Sequence, residues 1–245
     1  MGVYASLAER AKQVQALRRG IELGCNMIDT AEMYADGRSE EVVAEAVKDI
    51  RKDVFIASKV SPSNLRHDDV IAACTRSLKR LQTSYIDLYQ VHWPNPSIPI
   101  RDTMAAMEEL VRDGKIKYIG VSNFSVPQTD EARDALSRSE LASNQVEYSL
   151  VSRAVEANIL PYCEREKLTL IAYTPIAKGK APDSIPKSIC VKYGVTPVQV
   201  MLNWVTRSES VVAIPKSADI KHMEENASSV STRFSAEEYS SIGKR

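Results

Sequence analysis

Asp29-Thr-Ala-Glu-Met-Tyr34 follows the short apolar run Met27-Ile28, and the same arrangement recurs along the chain. Lys59 comes after Val54-Phe-Ile-Ala-Ser58, His92 after Ile86-Asp-Leu-Tyr-Gln-Val91, and Ser122-Asn123 after Tyr118-Ile-Gly-Val121. Gln145 lies in Ser143-Asn-Gln-Val-Glu147, Tyr173 ends the run begun by Leu170-Ile-Ala172, and Lys216 follows Val211-Val-Ala-Ile-Pro215. The intervals are mostly about thirty residues, the length of one strand-plus-helix unit. Polar groups at the C-terminal ends of successive parallel strands are where a (β/α) barrel builds its active site. The periodicity therefore predicts an enzyme.

Between these runs the spacing turns helical. Leu7, Ala11, Val14, Leu17 and Ile21 recur at three- and four-residue steps over 6–23, with Gly24 as a stop. Ser39 is the expected N-cap of the next helix, and helix 68–81 sets Asp68 and Asp69 against Lys79 and Arg80, matching its dipole. Further helices are expected to about Gly114, over 128–138 and from Glu156 to Lys167, and 176–186 reads as a loop. Thr196-Pro197, Asp219 and Ser235-Ala-Glu-Glu238 read as three more helix starts. No linker or shift in composition divides the series, so 1–245 reads as one domain with a parallel sheet and right-handed crossovers. Seven strands are counted and the chain opens on a helix. An eight-stranded barrel needs one strand more before residue 6, and Met1–Ala5 is too short for it. The expected fold is a (β/α)8 TIM barrel whose first strand is absent from this sequence.

Composition narrows the function classes. Of 245 residues 44% are hydrophobic and 26% charged, enough for a sizeable core. Lys plus Arg and Asp plus Glu both number 32, so no global field favours nucleic acid or an anionic membrane. Cys25, Cys74, Cys163 and Cys190 are scattered without metal-ligand spacing, which predicts no metal and a reduced, cytoplasmic setting. No apolar run approaches the ~20 residues that cross a bilayer, and the N-terminus lacks a signal-peptide core. A soluble monomer or weak oligomer acting on a small molecule is expected.

Asp29, Tyr34, Lys59 and His92 carry chemistry only together. A buried tyrosine, pKa about 10 when unperturbed, can protonate an oxyanion if a neighbouring ammonium pulls that value down. Lys59 would supply the charge, Asp29 would hold Lys59, and His92 would orient a substrate oxygen. Singly, these are a loop aromatic, a surface lysine and a core histidine; placement on three consecutive units favours the joint reading. No G-x-G-x-x-G or P-loop pattern is present. Lys216, Ser217 and the first N–H groups of the following helix would instead form an anion site after the last strand. Ser122, Asn123 and Gln145 would hydrogen-bond a carboxamide and Tyr173 would stack on a nicotinamide, although caps, turns and a core tyrosine account for these residues equally well.

These residues also carry a family resemblance. Asp29-Thr-Ala-Glu-Met-Tyr-Ala-Asp-Gly37 with Ser39-Glu40 resembles the first signature of the aldo-keto reductases. Lys59, Val91-His-Trp-Pro94 and Ile119-Gly-Val-Ser-Asn-Phe124 resemble the landmarks that follow. Asn144-Gln-Val-Glu-Tyr148, Ala172-Tyr-Thr-Pro175 and Ile214-Pro-Lys-Ser217 with Glu225-Asn226 complete the order. The resemblance implies an NADPH-dependent carbonyl reductase on a TIM barrel, with Tyr34 as general acid, tuned by Lys59 and Asp29, and His92 orienting the carbonyl. It implies that Ser122, Asn123 and Gln145 hold the carboxamide, Tyr173 stacks, and Thr174 and Ile176 line the pyrophosphate. Lys216, Ser217, His222, Glu225 and Asn226 would receive the adenosine-phosphate end, and Trp93 would line the substrate pocket. His222 stands where many NADP-preferring members carry arginine, so NADH use is also expected. Short loops after His92 imply an open, permissive pocket. Two other readings are a nicotinamide-binding regulatory subunit with little turnover and a Schiff-base lyase acting through Lys59.

Overall fold

The structure, a computed structural model, describes residues 7–243; Met1–Ala5, read as too short for a further strand, lies outside them. Two compact units, one ending at Gln145 and the other starting at Val146, are described in turn.

In the first unit β1 (Met27–Asp29), β2 (Phe55–Val60), β3 (Ile86–Val91), β4 (Ile116–Ser122) and β5 (Leu141–Glu147) follow one another in sequence order. Every pairing is parallel, in register Ile28↔Ile56, Lys59↔Gln90, Gln90↔Gly120 and Gly120↔Ser143. Parallel neighbours need a crossover, and α1 (Leu7–Glu22), α2 (Arg38–Val47), α3 (His67–Leu81), α4 (Ile100–Arg112) and α5 (Val126–Asp134) alternate with these strands. β3 is buried at all its positions and β2 at all but Phe55, as strands covered on both faces must be.

Local chemistry explains where elements begin. α2 starts from Gly37, whose φ of 86° is left-handed, and not from a cap at Ser39, which lies inside the helix. The Arg80 side chain lies so close over Gly37 that an added Cβ would sit 2.5 Å from its Cδ and Nε. β4 starts at Ile116, two residues before the expected Tyr118, because Ile116 pairs with Ile86. α5 covers Val126–Asp134, earlier than the expected 128–138, because Ser125 and Gln128 form a capping box with Pro127 in the first turn.

Gly120 permits close packing among β3, β4 and β5. A Cβ there would lie 2.5 Å from Ser143 Oγ, 2.8 Å from Gln90 Cγ and 3.1 Å from Leu88 Cδ1. All three neighbours are buried, so Gly120→Ala is expected to cost about 1–3 kcal/mol through overpacking. A urea titration checks this: the midpoint should fall at constant slope, and an unmoved midpoint would show that the strands part freely.

In the second unit β6 (Thr169–Tyr173) pairs in parallel with β7 (Val211–Ala213), in register Leu170↔Val211 to Ala172↔Ala213. The helices are α6 (Ile159–Glu166), α7 (Lys187–Tyr193), α8 (Pro197–Val205), α9 (Ile220–Ser228) and α10 (Ala236–Ser241). The predicted starts at Thr196, Asp219 and Ser235 hold, each side chain accepting from the backbone N–H three residues on. α6 begins at Ile159, later than the expected Glu156, which falls in a 3-10 turn over Ala154–Ala157. Among the described residues no helix is long and apolar enough to cross a membrane.

Candidate active site

Lys59 is fully buried at the end of β2. A buried ammonium survives only if paired and hydrogen-bonded, and Lys59 Nζ lies 2.5 Å from Asp29 Oδ2, 3.0 Å from the Thr30 carbonyl and 3.5 Å from Tyr34 Oη. Asp29, at the end of β1, is itself almost buried. Its other oxygen, Oδ1, accepts from Gln145 Nε2 at 2.8 Å. Adjacent parallel strands thus bring together the lysine and carboxylate expected from the sequence.

Tyr34 opens a 3-10 turn, Tyr34–Gly37, in which Ala35 and Asp36 take left-handed φ of 51° and 54°. Residues with a Cβ rarely adopt that region and need support from outside. Glu40, fully buried on α2, accepts from Arg80 Nε and from Ser58 Oγ, both at 2.6 Å, and Arg80 in turn lies over Gly37. Glu32 accepts from Ser61 N at 2.7 Å and Asn64 Nδ2 at 2.9 Å, tying this loop to the one after β2. The sequence marks Glu40 and Glu32 only within the first signature and Arg80 only at the negative end of its helix; their bracing role shows in the structure alone. The signal available was a carboxylate three residues past the turn.

The charge arrangement corrects one expectation. Burial raises the Tyr34 pKa, Lys59 lowers it and Asp29 raises it, and the net direction is up. The ammonium pulls as expected, but desolvation of the half-buried phenol outweighs it. His92, just after β3, is buried and lies edge-on to Tyr34, ring centroids 5.5 Å apart at 78°. Burial and then the Lys59 charge lower its pKa to about 3, so it is neutral at physiological pH. Trp93 stacks on His92 at 4.2 Å and 19° and remains 41% exposed, placing an aromatic face beside the imidazole.

Ser122 ends β4, and Asn123, just after it, takes a left-handed φ of 61°. Asn123 Nδ2 donates to the His92 carbonyl at 3.1 Å and to Ser122 Oγ at 3.0 Å. Ser122 Oγ donates to the Gln145 carbonyl at 2.9 Å. The structure therefore brings Asp29, Tyr34, Lys59, His92, Ser122, Asn123 and Gln145 into one linked set.

The candidates of the second unit form two groups. Tyr173 ends β6 half-buried, Thr174 is left-handed at φ 54°, and Ile176 accepts from Gly179 N at 2.7 Å in the turn that follows. Lys216 is exposed and has no ion pair among the described residues. Asp219 Oδ1 accepts from His222 N at 3.2 Å, so the start of α9 is capped by a carboxylate. The cap takes the His222 N–H, one of the first N–H groups expected to form an anion site. Ser217 Oγ bonds to the Asp219 backbone, Glu225 accepts from Thr196 Oγ1 at 2.5 Å, and His222 is exposed. Asn226 is buried, and its Nδ2 has no partner among the described residues.

Parallel strands that deliver a buried lysine–carboxylate pair, a tyrosine and a neutral imidazole to their C-terminal ends define a (β/α)-barrel enzyme site. The family model described as "Aldo/keto reductase family" matches residues 5–244. Methylglyoxal reductase of Escherichia coli (strain K12) is 41% identical over 250 residues, covering 100% of this chain and 87% of that protein. A crystal structure of an aldo/keto reductase from Klebsiella pneumoniae in complex with NADP and acetate is 41% identical. It superposes with a TM-score of 0.89 over 99% of this chain and 87% of that one. A thermostable aldo-keto reductase in complex with the inhibitor epalrestat gives a TM-score of 0.92 at 38% identity, over 97% and 88% of the chains. The chain belongs to the aldo/keto reductase family, oxidoreductases on the TIM-barrel fold expected from its strand spacing.

Proposed function

We propose that the chain is an NADP(H)-dependent reductase that converts an aldehyde or ketone to the alcohol, with Tyr34 as general acid. The observation that carries this reading is the buried Lys59 ammonium, held by Asp29 and 3.5 Å from Tyr34 Oη. Bound NADPH supplies the hydride to the carbonyl carbon. As that carbon is reduced, charge develops on oxygen, and Tyr34 gives it a proton. Lys59 stabilises the phenolate left behind, and its bond to Asp29 keeps the ammonium in place. His92, neutral with its pKa near 3, orients the oxygen through a hydrogen bond and is not the proton source. The exposed face of Trp93 lines the substrate side.

Several residues fit the cofactor. A carboxamide finds a side-chain acceptor in Gln145 Oε1 and hydrogen-bonding neighbours in Ser122 and Asn123. For the second unit, the family resemblance assigns Tyr173, Thr174, Ile176, Lys216, Ser217, His222, Glu225 and Asn226 to the cofactor, and of these Asn226 keeps a buried Nδ2 with no partner among the described residues. The Asp219 carboxylate beside Ser217 and His222 counts against a 2′-phosphate, so NADH is a competing donor. We take the substrate to be a small, reactive carbonyl of the methylglyoxal kind, the type reduced by the E. coli relative, and the setting to be cytoplasmic, in keeping with four free cysteines.

The test is loss of reduced-nicotinamide absorbance with methylglyoxal and with an aromatic aldehyde, using NADPH and NADH in parallel. Tyr34→Phe is expected to lower turnover by about 10²–10⁴-fold while cofactor still binds. Full activity in Tyr34→Phe would remove Tyr34 as the acid. Cofactor binding without turnover of any carbonyl would favour the regulatory reading.

A further inference from the structure

The hydrogen bonds of Gln145 give it a role besides holding a carboxamide. Its side-chain nitrogen lies 2.8 Å from Asp29 Oδ1. A carboxylate only accepts, so the amide must turn its nitrogen to Asp29, leaving Oε1 as its acceptor. Asp29 is then held at both oxygens, Oδ1 by Gln145 and Oδ2 by Lys59. The backbone of Gln145 is fixed as well, its carbonyl accepting from Asn123 N and Ser122 Oγ, each at 2.9 Å. A continuous series of hydrogen bonds runs from the His92 carbonyl through Asn123, Ser122 and Gln145 to Asp29, Lys59 and the Tyr34 hydroxyl.

We propose that Gln145 is a positioning residue for the proton donor: by holding Asp29 Oδ1 it sets how strongly Asp29 acts on Lys59 and Tyr34, and it joins occupancy of the carboxamide position to proton release from Tyr34. The nicotinamide as occupant rests on the reductase reading above; the link between Gln145 and Tyr34 does not. The groups facing Tyr34 are Asp29 from β1, Lys59 from β2 and the neutral His92 after β3. Lys59 favours the phenolate and Asp29 opposes it. A hydrogen bond donated to Asp29 draws charge away from Tyr34. Removing that bond restores the full repulsion and frees Asp29 to pull Lys59 off its position. Both changes hold the proton on Tyr34 more tightly. In the other direction, an N–H donated to Gln145 Oε1 polarises the amide and makes Nε2–H the better donor, so occupancy should ease proton release.

Gln145→Met keeps the volume and loses both polar atoms; Gln145→Glu keeps the shape and sets a carboxylate against Asp29. Two readouts on the full chain separate the possibilities. The first is kcat against pH at saturating NADPH, beside the NADPH KM. The second needs no turnover: the ring 13Cζ signal of Tyr34, assigned by its loss in Tyr34→Phe and followed with pH in the presence and absence of NADPH. Expected for Gln145→Met is a lower kcat plateau and a basic limb moved to higher pH. The shift corresponds to on the order of a threefold weaker Tyr34 acid, one hydrogen bond's net worth acting through Asp29. Gln145→Glu should move it further, and NADPH should displace the Tyr34 signal less in Gln145→Met than in wild type. A rise in NADPH KM with kcat and its limb unchanged would overturn the proposal and leave Gln145 a cofactor contact. If no carbonyl is reduced, the reductase reading fails, and the carbon signal still decides: identical Tyr34 signals at every pH in wild type and Gln145→Met would overturn the link.

Discussion

Lys59→Met is expected to abolish proton delivery while leaving the cofactor bound, with kcat for carbonyl reduction falling about 10³-fold. Methionine fits the space but brings no charge, and two effects then act on Tyr34 in the same direction. Burial, already the largest influence on its hydroxyl, is unopposed, and Asp29, which also raises the Tyr34 pKa, loses its counterion. Neither the phenolate nor the transition state leading to it is then stabilised. The substitution should also weaken the fold, because Asp29 remains almost buried with Gln145 as its remaining side-chain donor. Breaking one side of a buried pair costs about 3–5 kcal/mol. Adding Asp29→Asn should restore much of that stability without restoring turnover, since the missing piece of the mechanism is the ammonium. Kinetics at saturating NADPH and urea midpoints of the single and double variants separate the two losses. A kcat within tenfold of wild type in Lys59→Met would mean that the acid works without the ion pair.

What was legible in the sequence follows from the range of the interactions involved. The apolar runs of β2 and β3 are continuous because both faces are buried, and their helices carry their own spacing and caps, so these elements could be read locally. Asp29 and Lys59 could be paired because each ends a strand in consecutive units. Gln145 meets Asp29 across 116 residues, with no local pattern to announce it, and it was assigned a cofactor contact alone. The net direction of the Tyr34 shift was misread for a related reason. Neighbouring charges show in a sequence, whereas burial, which decides the outcome, does not. At α9 two expectations drew on one set of N–H groups, since Asp219 was read as the cap and the same helix start as an anion site. Geometry gives the His222 N–H to Asp219. The start of α2 went unseen because Ser39 satisfies the usual cap rule, while the chain uses the left-handed Gly37 beneath Arg80. α7, a short helix between Pro186 and Gly194 with one buried residue, offers too little periodicity to be read.

Removing the Asp87 carboxylate of β3 is expected to cost the fold heavily. Asp87 on β3 is almost completely buried. It accepts from Arg51 Nη2 and Lys117 Nζ, each at 2.8 Å, and from the Ile56 N–H of β2 at 3.0 Å. Arg51 extends the cluster to the Val54 and Tyr85 carbonyls at 2.8 and 2.9 Å, and both cations lie 4.2 Å from the Tyr85 ring centroid. Burial alone would raise the Asp87 pKa; the Ile56 N–H, Lys117 and Arg51 outweigh it, and the net direction is down. Because the folded value lies below the unfolded one of about 3.9, the charge contributes its full stability above that pH and loses it as pH falls through the folded value. Asp87→Ala leaves the largely buried Arg51 without its counterion and the Ile56 N–H without its acceptor, a loss of about 3–5 kcal/mol at neutral pH. In acid the wild-type carboxylate becomes protonated and loses the charge-dependent part of these interactions, so the gap between the two proteins should narrow. Urea unfolding of both from neutral pH to below pH 4 checks the shape of this curve. A gap of constant size would assign the cost to the cavity rather than to the charge, because a cavity does not titrate.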